Sequence, residues 1–258
     1  MNPVMSLATQ IAGVAGAELR KLKHDPIELM TRTVQPILWL LLFGGVMAKV
    51  RGIAGDGVRY LDFLAPGVLA QSVLFSAIFF GIAAIWERDS GILQRYLVSP
   101  APRIAIVIGK VITASGRGLS QAVVVYLVAL VAGASLDFHP LHLLGVAFMV
   151  ALGAGLFSTF SLVMACTVRT RERMMGAGQL LTMPIFFASN AIYPLALMPA
   201  WLQVVSRINP LTYEVDALRG LMLQGAEPVV GYGIDFGVMI LALAALMALA
   251  ARLLQRMA

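Results

Sequence analysis

Residues 87–103, ERDSGILQRYLVSPAPR, separate two stretches, 64–86 and 104–134, that are almost entirely apolar. About 20 consecutive apolar residues suffice for a helix that crosses a bilayer, whereas charged residues and proline are disfavoured there. The segment is therefore predicted to be a polar loop between two membrane-spanning helices. The stretches on either side of it decide the fold class, and the loop itself raises the question of what it contacts.

The composition of the whole chain also indicates a membrane protein. Its 258 residues are 60% hydrophobic and 12% charged, and the mean hydropathy is +0.88. These values lie outside the usual range of soluble domains. The net charge of +6 is concentrated between the apolar stretches, as membrane topology requires, so nucleic acid is not predicted as a partner. We predict an all-α integral membrane protein of the plasma (inner) membrane.

Six apolar stretches are long enough to be transmembrane helices: about 34–50, 64–86, 104–134, 141–168, 176–197 and 233–251. The lysines and arginines outside the spans and at their ends number 14 on one side and 5 on the other. By the positive-inside rule, both termini and the 87–103 loop are cytoplasmic. Lys110 and Arg117, on one face of the third span, are predicted to extend toward the lipid headgroups.

Two further segments have amphipathic patterns. Residues 1–33 form an N-terminal region in which ELRKLKHDPIELMTRT, residues 18–33, predicts an interfacial helix on a negatively charged leaflet. Residues 34–258 form the transmembrane domain. In its 198–232 segment, apolar residues recur at helical spacing from Trp201, and Asn209–Pro210 interrupts them. We predict two short re-entrant helices that enter the outer leaflet and return before the last span.

The sequence offers no chemistry of its own for catalysis or for energy coupling. No Asp or Glu lies in the middle of a predicted span, and this disfavours a proton-driven transporter, which needs a titratable group at depth. The span serines have no His or Asp positioned to activate them, and the His and Cys residues have no metal-ligand spacing. Gly109-Lys110 is followed by Val111, so a phosphate-binding loop is absent from the sequence. No catalytic, cofactor or metal residues are predicted.

The 87–103 loop has the pattern of a short amphipathic helix. Ile92, Leu93, Tyr96 and Leu97 share one face of a helix predicted to begin near Asp89–Ser90 and to end at Pro100. Such a helix fits a hydrophobic groove on a partner protein, and it also fits a linker that lies flat on the membrane. Composition alone favours neither interpretation.

Two groups of motifs resemble those of the ABC-2 type transporter permeases, the membrane subunits of ABC exporters. Glu87-Arg88-Asp89-Ser90-Gly91, then Leu97-Val98-Ser99-Pro100, Arg103 and Gly109-Lys110 are similar to that family's first cytoplasmic loop. The segment before the last span is similar in Pro199-Ala200-Trp201-Leu202, Asn209-Pro210-Leu211-Thr212-Tyr213 and Asp216-Ala217-Leu218-Arg219. The subgroup it most resembles is the drug-resistance and nodulation-type exporters, in which the permease pairs with a separate ATPase subunit.

The resemblance implies a complex of two permease copies, as a homodimer, and two ATPase subunits that bind ATP and Mg, surrounded by membrane lipid. It implies an ATPase-coupling role for Glu87, Arg88, Gly91, Ile92, Leu93, Tyr96, Leu97, Ser99, Pro100 and Arg103. It also implies that the outer re-entrant segment includes Trp201, Asn209, Pro210 and Tyr213.

The predicted function is ATP-driven export of a hydrophobic or amphipathic substrate, such as a drug, a lipid or a lipid-linked glycan, because apolar spans with few charges suit such cargo better than a small ion. The candidate substrate path, along the first, second and fifth spans, contains the polar residues Gln71, Ser72, Ser76, Gln179, Thr182, Ser189 and Asn190. For each of these, a hydrogen bond within the helices is the alternative. A proton-coupled secondary transporter and a non-transporting scaffold that docks a cytoplasmic partner stay open as other functions.

Overall fold

The structure, a computed structural model, describes residues 34–47, 59–91, 103–168 and 170–254. Within these residues the chain is helical and has no strand, apart from an isolated antiparallel bridge between Leu136 and Leu223. The interfacial helix predicted in 1–33 lies outside the described residues, as does most of the 87–103 loop.

Eight helices follow one another along the described residues, with a 3-10 turn at Leu195–Leu197 between the fifth and the sixth. They are α1 (Val34–Met47, with a π-helical turn at Trp39–Phe43), α2 (Tyr60–Asp89), α3 (Arg103–Val131), α4 (Pro140–Thr167), α5 (Arg171–Phe187), α6 (Ala200–Ile208), α7 (Pro210–Met222) and α8 (Tyr232–Leu253).

Four of these helices, α2, α3, α4 and α8, are long and apolar enough to cross a membrane. They match four of the six predicted spans, and the helical membrane-protein class is supported. The predicted fifth span, 176–197, differs: α5 begins earlier, at Arg171, and ends at Phe187. It ends there because the chain turns after Ala188, and the Ser189 hydroxyl donates to the Phe186 carbonyl at 2.7 Å. Since the described part of α1 and the whole of α5 are shorter than a full span, the six-span topology stays a prediction.

The centre of the bundle is the pair α2 and α4, the most buried of the long helices. They approach closely at small residues: the Gly81 amide donates to the Ser161 hydroxyl at 3.0 Å, and that hydroxyl donates to the Ile78 carbonyl at 2.9 Å. Small residues and hydroxyls at helix contacts are typical of membrane bundles. Helix α3 packs against both central helices, and α8 packs on α4 with its other face exposed.

The bundle has two ends, which we name after Arg59, the residue before α2, and Glu87, near the end of α2. The Arg59 end contains the start of α2, the α3–α4 loop and the end of α7; there Asp62 accepts hydrogen bonds from the Arg59 side chain at 3.2 Å and from the Ser135 amide at 2.8 Å. The Glu87 end contains the end of α2 and the starts of α3 and α5. The long helices connect these two ends.

Two short helices occupy part of the segment that the sequence marks as re-entrant, and they meet at the predicted break. Asn209 caps α7 by accepting from the Leu211 amide at 3.0 Å, and Pro210 occupies the first turn, where its missing N–H costs nothing. The Asn209 amide also donates to the Ile185 carbonyl of α5 at 2.6 Å. Helix α7 then packs against α2, α4 and α8. The turn is thus held to the bundle interior.

Candidate functional site

A buried ion pair links the end of α2 to the start of α3. Lys110 Nζ lies 2.6 Å from Glu87 Oε2, and the two side chains are only 9% and 7% exposed. The prediction that Lys110 extends to the headgroups is therefore wrong. Burying a lysine is costly without a counter-charge, and the packing of α3 on α2 brings Glu87 to it. The two helices that the 87–103 loop connects are thus joined directly at their loop ends.

Arg117, one of the two cations predicted to reach the headgroups, instead faces α2. Its guanidinium carbon lies 4.9 Å from the centre of the Phe80 ring, within the range of a cation–π contact. The headgroup prediction for both cations rested on their seven-residue spacing, which places them on one face of α3. The partners come from α2, more than 20 residues away in the chain.

An exposed cluster at the Glu87 end connects α2 to α5. The Arg171 guanidinium stacks over the Trp86 ring, 4.4 Å from its centre, and lies 3.5 Å from Asp89. Trp86 remains 56% exposed. From the sequence, Arg171 contributes only to the count of cytoplasmic cations, and no role is predicted for Trp86. The sequence signal for this cluster was a tryptophan at the end of one span and an arginine before another, both on the side predicted to be cytoplasmic.

Helix α2 ends at Asp89 and is closed by a glycine turn. The Ser90 hydroxyl donates to the Trp86 carbonyl at 2.8 Å, and Gly91 has a φ of 73°, a conformation that favours glycine at a helix C-terminus. The prediction that Asp89–Ser90 begins a new helix is therefore wrong, because both residues terminate α2. The side chains of the predicted coupling residues Ile92, Leu93, Tyr96, Leu97, Ser99, Pro100 and Arg103 lie outside the described residues.

The predicted coupling residues that the structure describes differ in exposure. The Glu87 side chain is buried toward α3, whereas Arg88 and Asp89 are partly exposed and lie 3.3 Å apart. Glu87 is therefore placed to position the loop rather than to touch a partner's surface. The coupling role of the set stays a prediction.

All four candidate path hydroxyls bond to nearby backbone carbonyls, three of them within their own helix and Ser189 just after the end of α5. Each donates to a carbonyl three or four residues earlier: Ser72 to Leu69 at 2.7 Å, Ser76 to Val73 at 3.0 Å, Thr182 to Gly178 at 2.6 Å, and Ser189 to Phe186 at 2.7 Å. These bonds account for the hydroxyls without a ligand. Gln71 and Asn190 are buried, and the Asn190 carbonyl accepts from Arg219 at 2.9 Å.

Two of the candidate path residues meet at a cavity between α2 and α5. The cavity has a volume of about 220 Å³, and Gln179 and Thr182 line it together with Phe75, Ile78, Phe79, Ile82 and Met175. Apolar and aromatic walls with one or two polar groups are the usual composition of a site for a small organic molecule. Gln179 is exposed, and it contributes the one side-chain amide among the residues that line this cavity. The other five candidate residues do not line this cavity.

The Thr182→Val variant is expected to keep wild-type transport and to lose at most about 1 kcal/mol of stability, because the Thr182 hydroxyl only bonds its own helix. Valine preserves the shape of the cavity wall. Gln179→Leu, which removes the amide, is expected to lower transport several-fold while leaving the melting temperature unchanged. Equal losses of transport in both variants would show that the Thr182 hydroxyl contacts the substrate. The measurements are movement of an amphipathic dye across the vesicle membrane and thermal unfolding in detergent.

Carboxylates are present inside the bundle, although sequence analysis found none in the middle of a span. Glu214 of α7 is fully buried, and neither of its side-chain oxygens has a hydrogen-bond partner among the described residues. Burial raises the pKa of Glu214 well above its usual range. Sequence reasoning missed it because the 198–232 pattern placed it in an outer segment, and only the packing of α7 brings it inward.

Arg219, on the same helix, is held by α2 and by the turn after α5. Its guanidinium carbon lies 3.9 Å from the centre of the Phe63 ring, and its Nη2 donates to the Asn190 carbonyl. Asp216 accepts from the Val230 amide at 2.7 Å. The charged residues of the Asp216-Ala217-Leu218-Arg219 motif thus attach α7 to its neighbours.

Comparison with known proteins identifies the family. The family model described as ABC-2 type transporter matches residues 9–223, most of the chain. A putative transport permease ycf38 of Cyanophora paradoxa is 32% identical over 203 residues, which cover 78% of this chain and 70% of the relative. The chain belongs to the ABC-2 type transporter family. The resemblance inferred from the loop and pre-span motifs is confirmed.

Two further relatives are similar to this ABC-2 permease. The inner membrane transport permease YadH of Escherichia coli K12 is 27% identical over 248 residues, covering 90% of this chain and 91% of YadH. The daunorubicin resistance ABC transporter permease protein DrrB1 of Streptomyces coeruleorubidus is 25% identical over 204 residues, covering 78% and 70% of the two chains. The permease is thus an integral membrane protein and the membrane subunit of an ABC transporter. Permeases of this family normally work with an ATP-binding subunit.

Proposed function

We propose that this permease exports a hydrophobic or amphipathic substrate with energy from ATP that a separate subunit hydrolyses. One observation carries the proposal: the Glu87–Lys110 ion pair joins the two helices from which the 87–103 loop emerges. Since α2 is a central helix of the bundle and α3 packs against it, a displacement of the loop is expected to move both of these long helices together. A loop attached in this way suits a coupling element.

The Glu87 end faces the cytoplasm in this proposal, and the Arg59 end faces outward. The excess of lysine and arginine on the Glu87 side, 14 against 5, supports this orientation. Both termini are then cytoplasmic, the N-terminal helix lies on the inner leaflet of the plasma (inner) membrane, and α6 and α7 form the outer re-entrant segment. The chain crosses the membrane six times.

The complex contains two copies of this permease and two ATPase subunits, which hold ATP and Mg. Apolar side chains exposed on α1 and α5, among them Leu38, Leu42, Leu180 and Phe187, support a contact between permease copies at these helices. Their alternative neighbour is membrane lipid. Disulfide cross-linking of cysteine pairs introduced at Leu42 and Leu180 tests the dimer.

ATP-driven closure of the ATPase pair would move both coupling loops and change how α2 and α5 pack, a shift between two discrete arrangements. The cavity between these helices is then a binding place along the path. Its apolar lining suits a drug or a lipid chain, and the drug-resistance name of one relative supports a drug. A lipid-linked glycan is the third substrate class that fits an amphipathic path.

The Leu93→Asp variant is expected to lose co-purification with the ATPase subunit and at least tenfold of ATP-dependent export, because a charge on the apolar face of the predicted loop helix opposes docking in a hydrophobic groove. Val229→Asp is the matched control, since Val229 is 80% exposed beyond α7, in the connection to α8. This control is expected to behave as wild type. A Leu93→Asp complex that keeps its ATPase and its export would refute the coupling role.

A proton-coupled secondary transporter is the second candidate, and the buried Glu214 favours it. Transport that persists after ATP depletion and stops with an uncoupler would select this candidate. The scaffold alternative predicts a different result: the ATPase co-purifies, and no substrate moves in reconstituted vesicles. In the exporter that we propose, ATP hydrolysis and transport stop together when either subunit is absent.

A further inference from the structure

The Glu214 side chain contacts α4 near the midpoint of that helix. Helix α7 runs antiparallel to α4, so that Leu221 lies against Gly145 and Glu214 lies against Gly153. Gly153 is thirteen residues after Pro140 and fourteen before Thr167. At about 1.5 Å per residue, it is about 20 Å from either end of the helix. The Glu214 carboxyl group is therefore as far from both ends of this spanning helix as it can be.

The fit between Glu214 and α4 depends on a glycine. A Cβ atom at position 153 would lie 2.1 Å from Glu214 Oε1 and 2.6 Å from Oε2. The carboxyl group thus occupies the space that any other side chain at this position would fill. This contact leaves no room for a bound molecule or a metal between Glu214 and α4.

Nothing in the described part of the chain compensates a charge on Glu214. The side chain is 0% exposed and both oxygens lack hydrogen-bond partners. Among the described residues, no titratable group of α2, α4, α6, α7 or α8 is hydrogen-bonded to Glu214. A carboxylate in such a place is strongly disfavoured, whereas the protonated form is neutral and tolerated.

On α4, His142 pairs with Asp137 at the Arg59 end, 2.6 Å away. On α2, Asp62 is bonded to Arg59, and Tyr60 donates to the Ile192 carbonyl. On α7 itself, Arg219 is bonded to Asn190 and stacks on Phe63, and Asp216 accepts from Val230.

On α8, Asp235 lies near Asp216, Tyr232 lies against Gly220, and Arg252 is in the last turn. On α6, Arg207 is in the last turn and exposed. None of these groups is a partner of Glu214 among the described residues.

We propose that Glu214 is a proton-binding site of the membrane interior, occupied by a proton while α7 packs against α4 and emptied to water when α7 moves away. The step is a simple ionisation: the carboxyl O–H bond breaks, the proton passes to water, and the carboxylate remains. Repacking takes up one proton from water. Each cycle of the permease that separates α7 from α4 therefore releases and takes up one proton at this residue.

The pH dependence has a definite sign. A glutamate exposed to water titrates at about pH 4.3, and burial makes the packed Glu214 hold its proton to higher pH. Packing of α7 on α4 is therefore fully favoured below pH about 4, and this advantage is lost as the pH rises through the range in which the packed carboxyl titrates. Glutamine, which is neutral at every pH and similar in shape, removes this dependence.

Infrared spectroscopy of the purified permease in lipid tests the proposal directly. We expect the wild type to show the carbonyl band of a protonated carboxylic acid that is missing in Glu214→Gln and that declines as the pH is raised. The matched control is Glu227→Gln, an exposed residue between α7 and α8, and it is expected to keep the band. A difference spectrum without this band would overturn the proposal.

A second measurement asks whether the proton is linked to motion of α7. Hydrogen exchange of the α7 amides is expected to increase with pH in the wild type and to be independent of pH, after correction for the intrinsic rate, in Glu214→Gln. If Glu214→Gln does not fold, Glu214→Asp replaces it, because the shorter carboxyl withdraws from Gly153 and must shift the midpoint of the band. An unchanged midpoint, or equal exchange profiles, would refute the site. Neither measurement needs the ATPase subunit, so the outcome is separate from that of the export assay.

Discussion

Replacement of Lys110 by methionine is expected to destabilise the permease by roughly 3–5 kcal/mol, because it leaves the buried Glu87 carboxylate without its counter-charge. Lys110 Nζ is 2.6 Å from Glu87, and both side chains are more than nine-tenths buried. Methionine has nearly the same length and fills the same space, so the loss reports the charge rather than a cavity. The measurement is the thermal unfolding midpoint in detergent, together with ATP-dependent export.

The double variant Glu87→Gln, Lys110→Met distinguishes two effects: the cost of an unpaired buried charge and the loss of the link between α2 and α3. It removes both charges, so most of the lost stability is expected to return, while the direct link between α2 and α3 is not restored. Export coupled to ATP should therefore stay impaired in a stable protein. The matched control is Arg173→Met in the exposed first turn of α5, with an expected change below about 0.5 kcal/mol. A stable Lys110→Met single variant would contradict the buried pair.

The second large effect is expected from Gly67→Ala in α2. A Cβ at this position would lie 2.2 Å from the Ala191 carbonyl oxygen and 2.8 Å from its carbon, and a backbone cannot give way as a flexible side chain can. The turn that holds Ala191 is itself fixed, since Tyr60 donates to Ile192 at 3.0 Å and Arg219 donates to Asn190. The loss of stability is expected to be about 3 kcal/mol, at the upper end of overpacking effects.

Gly45→Ala in α1 is the control for this substitution. Nothing lies within 4 Å of a Cβ at position 45, and alanine is the better helix former, so stability is expected to stay equal or rise by up to about 1 kcal/mol. Both variants are compared by thermal unfolding and by the fraction that elutes as a single species. A Gly67→Ala protein with the wild-type midpoint would show that α2 does not contact this turn so closely.

The long apolar stretches predict the fold class well because a bilayer-spanning helix needs little besides length and hydropathy. The helix ends are less predictable: α5 stops at Phe187, because a turn at Ser189 intervenes within a stretch that stays apolar to 197. The break at Asn209–Pro210 was predictable because capping and proline chemistry are local.

The candidate site was less predictable, because its important contacts join distant parts of the chain. The pairing of Lys110 with Glu87 requires two helices to pack in one particular register, and hydropathy contains no information about register. The burial of Glu214 was equally unpredictable from the sequence, because it too depends on a contact between distant parts of the chain. Its place in the bundle depends on a missing side chain at Gly153, 61 residues earlier in the sequence.

The position of α7 also has a consequence for how the permease is made. Helix α7 packs against α2 and α4, which precede it in the chain, and against α8, which follows it. During synthesis α7 leaves the ribosome before the last of these neighbours exists, so its final packing must wait until α8 has entered the membrane. The segment 210–222 is therefore expected to become protease-resistant in a nascent chain only after α8 has entered the membrane. A chain truncated before Tyr232 should keep this segment accessible.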